Sequence, residues 1–389
     1  MSRVTMSRVT VQPTLVRWAR ERADLPLADL ARKFPKLEAW ERGAAQPTFR
    51  QLEAFAKATF VPIGYLFLPE PPEEPLPILD LRTVPAPAAR RPSPDLLDTI
   101  YTMQRRSCWL RDERIEYATE PLFFVGGARL TDDPNAVGRE MRRIIGFGDG
   151  WAAEVRTWTQ AVGELRRAIE QLGIMAVING VVGNNTHRTL NTEEFLGFAL
   201  CDEYAPLVFV NGADYESRKM FTLAHELAHI WLGPAGEGLS GFDGLFPGGT
   251  NVEAFCDQAA AEFLLPAKEL NASWRSVKDE PRPFETLAQQ FKVSPIVVGR
   301  RAMDLRLVDR ETFFDFYREY VKREHIRSKA TGGGDFYNNQ NTRVGALFAT
   351  HVVRAAKEGR LGFREAYELT GLRGGAFQEY ASRLGVDLP

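Results

Sequence analysis

The sequence predicts an α+β fold, in which a small β-sheet lies beside helices and is flanked by mainly α-helical domains. Three observations support this prediction. Short runs of β-branched or alternating apolar residues, typical of strands, occur at residues 174–182, 197–201 and 207–210. A long apolar run of helical character follows at residues 220–233. Amphipathic helical patterns cover most of the chain on both sides of this central part.

Composition predicts a globular protein of the cell interior. A length of 389 residues suggests two or three domains, and 44% hydrophobic residues can form sizeable cores. The net charge of −2 gives no overall basic surface, so any nucleic-acid contact must come from a local patch. Cys108, Cys201 and Cys256 lie in apolar stretches, and we expect buried thiols in a reducing compartment. Without an apolar run of transmembrane length or a signal-peptide pattern, we expect a cytoplasmic protein with no membrane partner.

Five segments follow one another along the chain. The stretch from residue 69 to residue 94 contains nine prolines, so it is extended and separates domains. We therefore predict a helical domain at residues 11–68, a linker at 69–94, a central mixed domain at 95–275, a helical domain at 276–325 and a helical interaction segment at 326–389. Amphipathic patterns outside the first domain predict helices at residues 94–111, 135–145, 152–171, 343–357 and 363–370.

The most informative motif is His225-Glu226-Leu-Ala-His229, inside the apolar run. Two histidines four residues apart lie about 40° apart around a helix, so both rings reach one point in space. Glu226 projects beside that point, where a general base for a metal-activated water must stand. Because buried histidine and glutamate need partners, the spacing predicts a metal site. The alternative is a core helix whose polar side chains bond to the protein itself.

A third ligand is expected from the next apolar helical run, residues 252–266. On a helical wheel Glu253 and Asp257 share one face, and Gln258 and Glu262 share the opposite one. We therefore predict Glu253 as the third ligand and Glu262 as a solvated surface carboxylate. Asp257, one turn after Glu253, is expected to accept the free ring N–H of a ligand histidine. A local helix contact is the alternative role for Asp257.

A family resemblance covers residues 135–270. The run Phe221-Thr-Leu-Ala-His-Glu-Leu-Ala-His-Ile-Trp-Leu-Gly, the later Glu253-x-x-x-Asp257 and the stretch Ala261-Glu-Phe-Leu-Leu-Pro266 resemble the ImmA/IrrE family of zinc metallopeptidases. The resemblance implies a zincin-like metallopeptidase core, made of a small β-sheet and the HExxH helix, with one Zn²⁺ per chain. The implied roles are metal ligand for His225, His229 and Glu253, and general base for Glu226. Asp257 departs from the family, which more often has asparagine there.

The same resemblance implies an intracellular zinc endopeptidase that cleaves a protein substrate. Family members act on helix-turn-helix repressors in stress-response and mobile-element circuits, and we expect a substrate of that class. The strand at 207–210 is expected to offer an edge to an extended substrate segment. His187, Tyr204 and Tyr215 are weaker candidates for stabilising an oxyanion.

The first helical domain resembles the XRE helix-turn-helix family in Leu15-Val-Arg-Trp-Ala-Arg, Ala28-Asp-Leu-Ala-Arg, Trp40-Glu-Arg-Gly43 and Gln51-Leu-Glu-Ala-Phe-Ala56. The expected phosphate contacts are Arg32, Lys33, Lys36, Arg42 and Arg50. The spacing from Ala31 to Trp40 is shorter than the family's, and Pro35 stands where a recognition helix is expected. DNA binding and protein docking therefore both stay open for this domain.

Residues 284–294 and 298–307 have helix-turn-helix spacing, and they predict either a packing domain or a second DNA-binding module. The segment after them is expected to be an interaction arm or a lid. An XRE-like domain fused to an ImmA/IrrE-like core also resembles proteins encoded beside PIN-type ribonuclease toxins. The competing functional class is thus a DNA-binding regulator or antitoxin, with a toxin partner and little or no proteolysis.

Overall fold

A computed structural model describes residues 8–74, 92–236, 239–240, 251–324 and 340–388. The chain forms two compact units. Of the described residues, the first unit comprises 8–74 and 92–100, and the second comprises 101–236, 239–240, 251–324 and 340–388. Most of the predicted linker, residues 75–91, and residues 326–339 of the predicted interaction segment lie outside the described residues.

The first unit is helical. Its elements are α1 (Pro13–Arg22), α2 (Leu27–Lys33), α3 (Leu37–Glu41), α4 (Phe49–Ala58) and a 3₁₀ turn (Ile63–Phe67). Trp40 and Phe55 lie edge to face in its core, and Thr48 and Gln51 form a reciprocal capping box at the start of α4. The helix that follows Pro35, α3, has only five residues. It therefore provides little more than one turn where a helix-turn-helix domain has its recognition helix.

The second unit contains the β-sheet. Its strands are β1 (Met175–Asn179), β2 (Val181–Val182), β3 (Asn185–Thr189), β4 (Gly197–Leu200), β5 (Leu207–Asn211) and β6 (Leu239–Ser240). The main sheet has the order β1-β5-β4-β6, with β1 parallel to β5 and β4 antiparallel to both β5 and β6. The hairpin of β2 and β3 is separate, and β3 and β6 were not predicted. The strand β5 lies between β1 and β4, so the expectation that residues 207–210 form a substrate edge is wrong.

Thirteen described helices follow the first unit's elements. They are α5 (Pro94–Glu116), α6 (Pro134–Ile145), α7 (Trp151–Glu154), α8 (Trp158–Gln171), α9 (Glu216–Leu232), α10 (Asn251–Leu264), α11 (Ala267–Val277), α12 (Pro283–Phe291), α13 (Pro295–Asp304), α14 (Arg310–Glu324), α15 (Ala346–Lys357), α16 (Phe363–Thr370) and α17 (Gly375–Arg383). Of these, α8 and α9 pack directly on the sheet. A 3₁₀ turn, Gly233–Gly236, follows α9, and a π-helical turn, Asn341–Gly345, precedes α15. The helix predicted at residues 152–171 is interrupted near Val155, and α17 was not predicted.

One hydrophobic core joins the sheet, α9 and α10 to the helices that follow them. The face of α9 packs on β4 and β5, and apolar residues of α12 and α13, such as Leu287 and Val298, belong to the same core. Ser294 caps α13 by accepting a hydrogen bond from the N–H of Val297. The helical segment after the predicted catalytic part is therefore a structural part of the second unit.

The last helices lie against the β1 side of the sheet. The π-helical turn packs on β1, and the buried guanidinium of Arg106 in α5 donates to the carbonyls of Leu369 and Arg343 at 2.9 and 3.0 Å. Burial lowers the pKa of Arg106 to about 10. Tyr380 donates to the side chain of Asn341 at 2.9 Å. These polar contacts join the C-terminal helices to α5 and to the edge of the sheet.

Two expectations drawn from composition concern membrane-spanning helices and buried thiols. None of the described helices is both long and apolar enough to cross a membrane. No disulfide joins Cys108, Cys201 or Cys256, and of these three only Cys256 is fully buried. Cys108 is exposed because it lies on the outer face of α5, while Arg106, Ser107 and Leu110 face inward. The prediction of a buried thiol is wrong for Cys108.

Candidate metal centre

The helix α9 crosses the middle of the second unit, and every residue from 222 to 232 is buried. Such a helix fits the predicted apolar run, and within this stretch it places three ionisable side chains in the protein interior. His225 is 4% exposed, and Glu226 and His229 are completely buried. Polar groups at this depth must bond to other polar groups or to an ion.

The three predicted ligands lie together. The Nε2 atoms of His225 and His229 are 3.0 Å apart. Glu253 of α10 places Oε2 3.1 Å from Nε2 of His225 and Oε1 3.5 Å from Nε2 of His229. Each residue thus offers a donor atom, and the donor atoms of all three residues lie within 4.8 Å of one another.

This geometry fits a single zinc ion. Two donor atoms that lie about 2.0–2.1 Å from a tetrahedral ion are about 3.3–3.4 Å from each other. The separation of 3.0 Å between the two Nε2 atoms is close to that value, and so are those of 3.1 and 3.5 Å from these nitrogens to the two carboxylate oxygens of Glu253. Two histidines and one carboxylate also leave a fourth coordination position free for water or substrate, as catalytic zinc sites require.

Asp257 has the contact that its spacing predicts. Its Oδ1 atom lies 2.9 Å from Nδ1 of His225, one turn of α10 beyond Glu253. An N–H on Nδ1 that donates to this carboxylate leaves the lone pair on Nε2, which faces His229 and Glu253. Asp257 therefore selects the tautomer of His225 that a metal needs.

The same contacts set the protonation of the metal-free site. Burial alone lowers the pKa of His225, but the hydrogen bonds to Asp257 and Glu253 outweigh burial and raise the pKa well above its usual value. Burial raises the pKa of Glu253, but the contacts with His225 outweigh it and the pKa is lowered. Burial also raises the pKa of the neighbouring Cys256 thiol, which is therefore neutral.

A segment without a sequence motif supports the end of the metal-site helix. The N–H groups of Gly126 and Ala128 donate to the carbonyls of Ile230 and Trp231 at 3.1 and 2.9 Å. Phe124 stacks on Trp231 with ring centroids 4.7 Å apart. These bonds give partners to carbonyls in the last turn of α9, of which that of Ile230 also accepts from the N–H of Gly233. Sequence reasoning missed this segment because backbone donors leave no signal in side-chain patterns.

Glu262 does not lie at the surface as predicted. It is 2% exposed, forms an ion pair with Arg301 of α13, and accepts a hydrogen bond from the N–H of Ala267 at 3.1 Å. Arg139 of α6 approaches its other oxygen at 3.4 Å. The wheel correctly separates Glu262 from Glu253, but at Glu262 the face opposite the ligands meets α6 and α13, whereas Gln258 on the same face is exposed.

The other candidate residues lie on exposed or partly exposed surface. His187 is exposed on β3, Tyr215 is 46% exposed and Tyr204 is half-buried. In the first unit all five predicted phosphate-contacting residues are exposed, namely Arg32, Lys33, Lys36, Arg42 and Arg50. Arg42 forms an ion pair with Glu38.

The fold and the ligand cluster together define a metallopeptidase-like core. Residues 169–303 match the family model of the IrrE N-terminal-like domain, a peptidase family. The matched segment runs from the end of α8 into α13 and contains the whole ligand cluster, so it supports a relationship to the ImmA/IrrE family over this part of the chain. Residues 344–383 match a domain of unknown function, DUF8813. No curated protein matches the chain.

Proposed function

We propose that this protein is a zinc-dependent endopeptidase that hydrolyses peptide bonds of a protein substrate. The observation that carries the proposal is the convergence of donor atoms from His225, His229 and Glu253. Next to them is the buried carboxylate of Glu226, which lies on the same helix as the two histidines. The match of residues 169–303 to a peptidase family supports the reaction class.

Each side chain has a distinct task in this proposal. When bound, zinc supplies Lewis acidity, which polarises a carbonyl and acidifies water. His225, His229 and Glu253 hold the ion, and Asp257 keeps the ring of His225 in the required tautomer. Glu226 takes the proton from the attacking water and delivers it to the leaving amine. Glu226 is completely buried, so its carboxylate lies in a region of low dielectric constant. Its electrostatic interactions with nearby charges are stronger there than they are in water.

The substrate is proposed to be a helix-turn-helix transcriptional repressor in a stress-response or mobile-element circuit of the cytoplasm. Support for this class comes from the relationship to the ImmA/IrrE family. The helices α12 and α13, which share the core with the metal helix, are candidates for the surface that selects a folded partner.

The experiment uses the purified full-length protein. We expect about one zinc ion per chain by mass spectrometry and cleavage of a mixture of unstructured peptides, with products identified by their masses. Glu226→Gln should keep its zinc and lose cleavage, whereas His229→Ala should lose zinc. Glu164→Gln, at an exposed site on α8, is the matched control and should change neither. A folded, unchelated sample with little zinc, or a Glu226→Gln variant that cleaves normally, contradicts the proposal.

The second candidate is a DNA-binding regulator or an antitoxin paired with a PIN-type toxin. It is supported by the first unit, which has its own core and exposes the predicted basic residues. The five residues of α3 favour protein docking over major-groove reading. Glu226→Gln separates the two candidates in cells, because a regulator keeps full biological activity without the carboxylate and a peptidase does not.

A further inference from the structure

The first residue of β4 lies directly under the catalytic part of α9. Gly197 pairs with Val210 of β5 on one side and with Ser240 of β6 on the other. Alternation along the strand directs Phe198 to the opposite face of the sheet, where it stacks on Phe209 with centroids 4.9 Å apart. The face of Gly197 is therefore the one that meets α9.

A side chain at this position has no room. An ideal Cβ atom placed on Gly197 lies 2.8 Å from Oε1 of Glu226, 2.8 Å from Cγ2 of Thr222 and 2.8 Å from the carbonyl oxygen of Phe209. Thr222 and Glu226 are one helical turn apart, so α9 approaches β4 most closely along this line. Gly197 is not among the residues with a positive φ. The position therefore requires glycine for space and not for backbone conformation.

We propose that Gly197 is a positioning residue for the general base: its missing side chain leaves the space in which the Glu226 carboxylate lies against β4. This inference rests on the proposed peptidase function. The backbone of β4 lies on one side of the Glu226 carboxylate. The ligands His225 and His229 lie on the same helix as Glu226, α9. A carboxylate confined between them is held at a fixed place relative to the metal site.

The effect of a single methyl group follows from the contacts. Restoring an ordinary contact of 3.4 Å from 2.8 Å requires a movement of 0.6 Å. The oxygen of Phe209 belongs to the backbone of an interior strand and yields little, whereas the carboxylate is the end of a flexible side chain. Glu226 must therefore make much of the movement. Since a displacement of about 1 Å in an active site costs roughly 10²-fold in rate, Gly197→Ala should lower kcat by about 10- to 100-fold.

The first test measures whether Gly197→Ala changes kcat, KM or the zinc content. With the zinc-loaded full-length protein and a fluorogenic peptide that it cleaves, Gly197→Ala should lower kcat, leave KM nearly unchanged and retain one zinc per chain. The matched control is Gly180→Ala, whose Cβ meets only backbone, with Ala213 N at 2.7 Å and Gly212 C at 2.9 Å. This control should lower stability but keep kcat per folded molecule. A Gly197→Ala variant with wild-type kcat, or one that loses zinc, overturns the inference.

A second measurement does not depend on activity. If the new methyl presses on the carboxylate, Gly197→Ala should lower Tm less in a Glu226→Ala background than in the wild type. Equal losses of Tm in both backgrounds overturn the role of Gly197. Absence of peptide cleavage by the wild-type protein instead overturns the proposed function, so the two failures are distinguishable.

Discussion

Replacing the buried Arg301 by methionine should destabilise the second unit more than replacing the exposed Arg139 of α6. Arg301 is 4% exposed, and its guanidinium pairs with Glu262 and donates to Asn135 at 3.1 Å and to the carbonyl of Leu265 at 3.4 Å. Burial lowers the pKa of Arg301, which shows that the guanidinium has lost solvation that its partners must replace. Arg301→Met removes the positive charge but leaves the carboxylate of Glu262 buried.

The expected loss of stability depends on the contacts that Glu262 retains after Arg301 is replaced. Breaking a buried ion pair from one side costs about 3–5 kcal/mol, because an uncompensated charge stays in the interior. Glu262 retains the N–H of Ala267 at 3.1 Å and Arg139 at 3.4 Å, so we expect a loss near the lower limit, about 3 kcal/mol. Arg139 is itself 56% exposed, and the matched variant Arg139→Met should cost less than about 1 kcal/mol.

Urea unfolding of the full-length protein, followed by tryptophan fluorescence and circular dichroism, measures the loss in the free energy of unfolding for Arg301→Met and for Arg139→Met. The double variant Arg301→Met/Glu262→Met should be more stable than Arg301→Met alone, because it removes the buried charge as well. The reasoning is refuted if Arg301→Met costs no more than Arg139→Met, or if the double variant is the least stable of the three.

Three further predictions concern the metal site and the first unit. Asp257→Ala should weaken zinc binding by about 10- to 100-fold in a competition titration with a chelator, because the ring of His225 loses its orienting acceptor. Zinc affinity should fall as the pH is lowered from about 8 to about 6, since the raised pKa of His225 means that a proton must leave before the ion binds; an affinity independent of pH would contradict this. Thr48→Ala should destabilise the first unit by about 1 kcal/mol in thermal unfolding, because the capping box with Gln51 is lost, whereas the exposed substitution Lys57→Ala at the other end of α4 should cost less.

Much of the site could be predicted because its signal is local. The spacing of His225 and His229 and the spacing of Glu253 and Asp257 depend only on the period of one helix each, and a helix of this kind keeps its geometry wherever it packs. The contact of Asp257 with Nδ1 of His225 follows once the two helices face each other. Strands β1, β4 and β5 were likewise predicted from runs of apolar residues within single segments.

Three of the errors concern which elements become neighbours. Glu262 looks like a surface residue on the wheel of α10, yet α6 and α13 cover it with two arginines. Strand β5 looks like an available edge, yet β1 and β4 pair with both of its sides. Cys108 lies in an apolar stretch, yet its face of α5 meets solvent. In each case the answer depends on contacts between segments that are far apart in sequence.

The sequence by itself determined the residue types and the helical spacing that a zinc site needs, because these depend on local geometry and on the chemistry of the side chains. Only the tertiary structure decided that Glu253 reaches the two histidines, that Glu262 is buried against Arg301, and that Gly197 leaves room for Glu226. The reason is physical. A helix sets the directions of its own side chains. The other elements that pack against the helix decide whether each side chain contacts an ion, a buried partner or water.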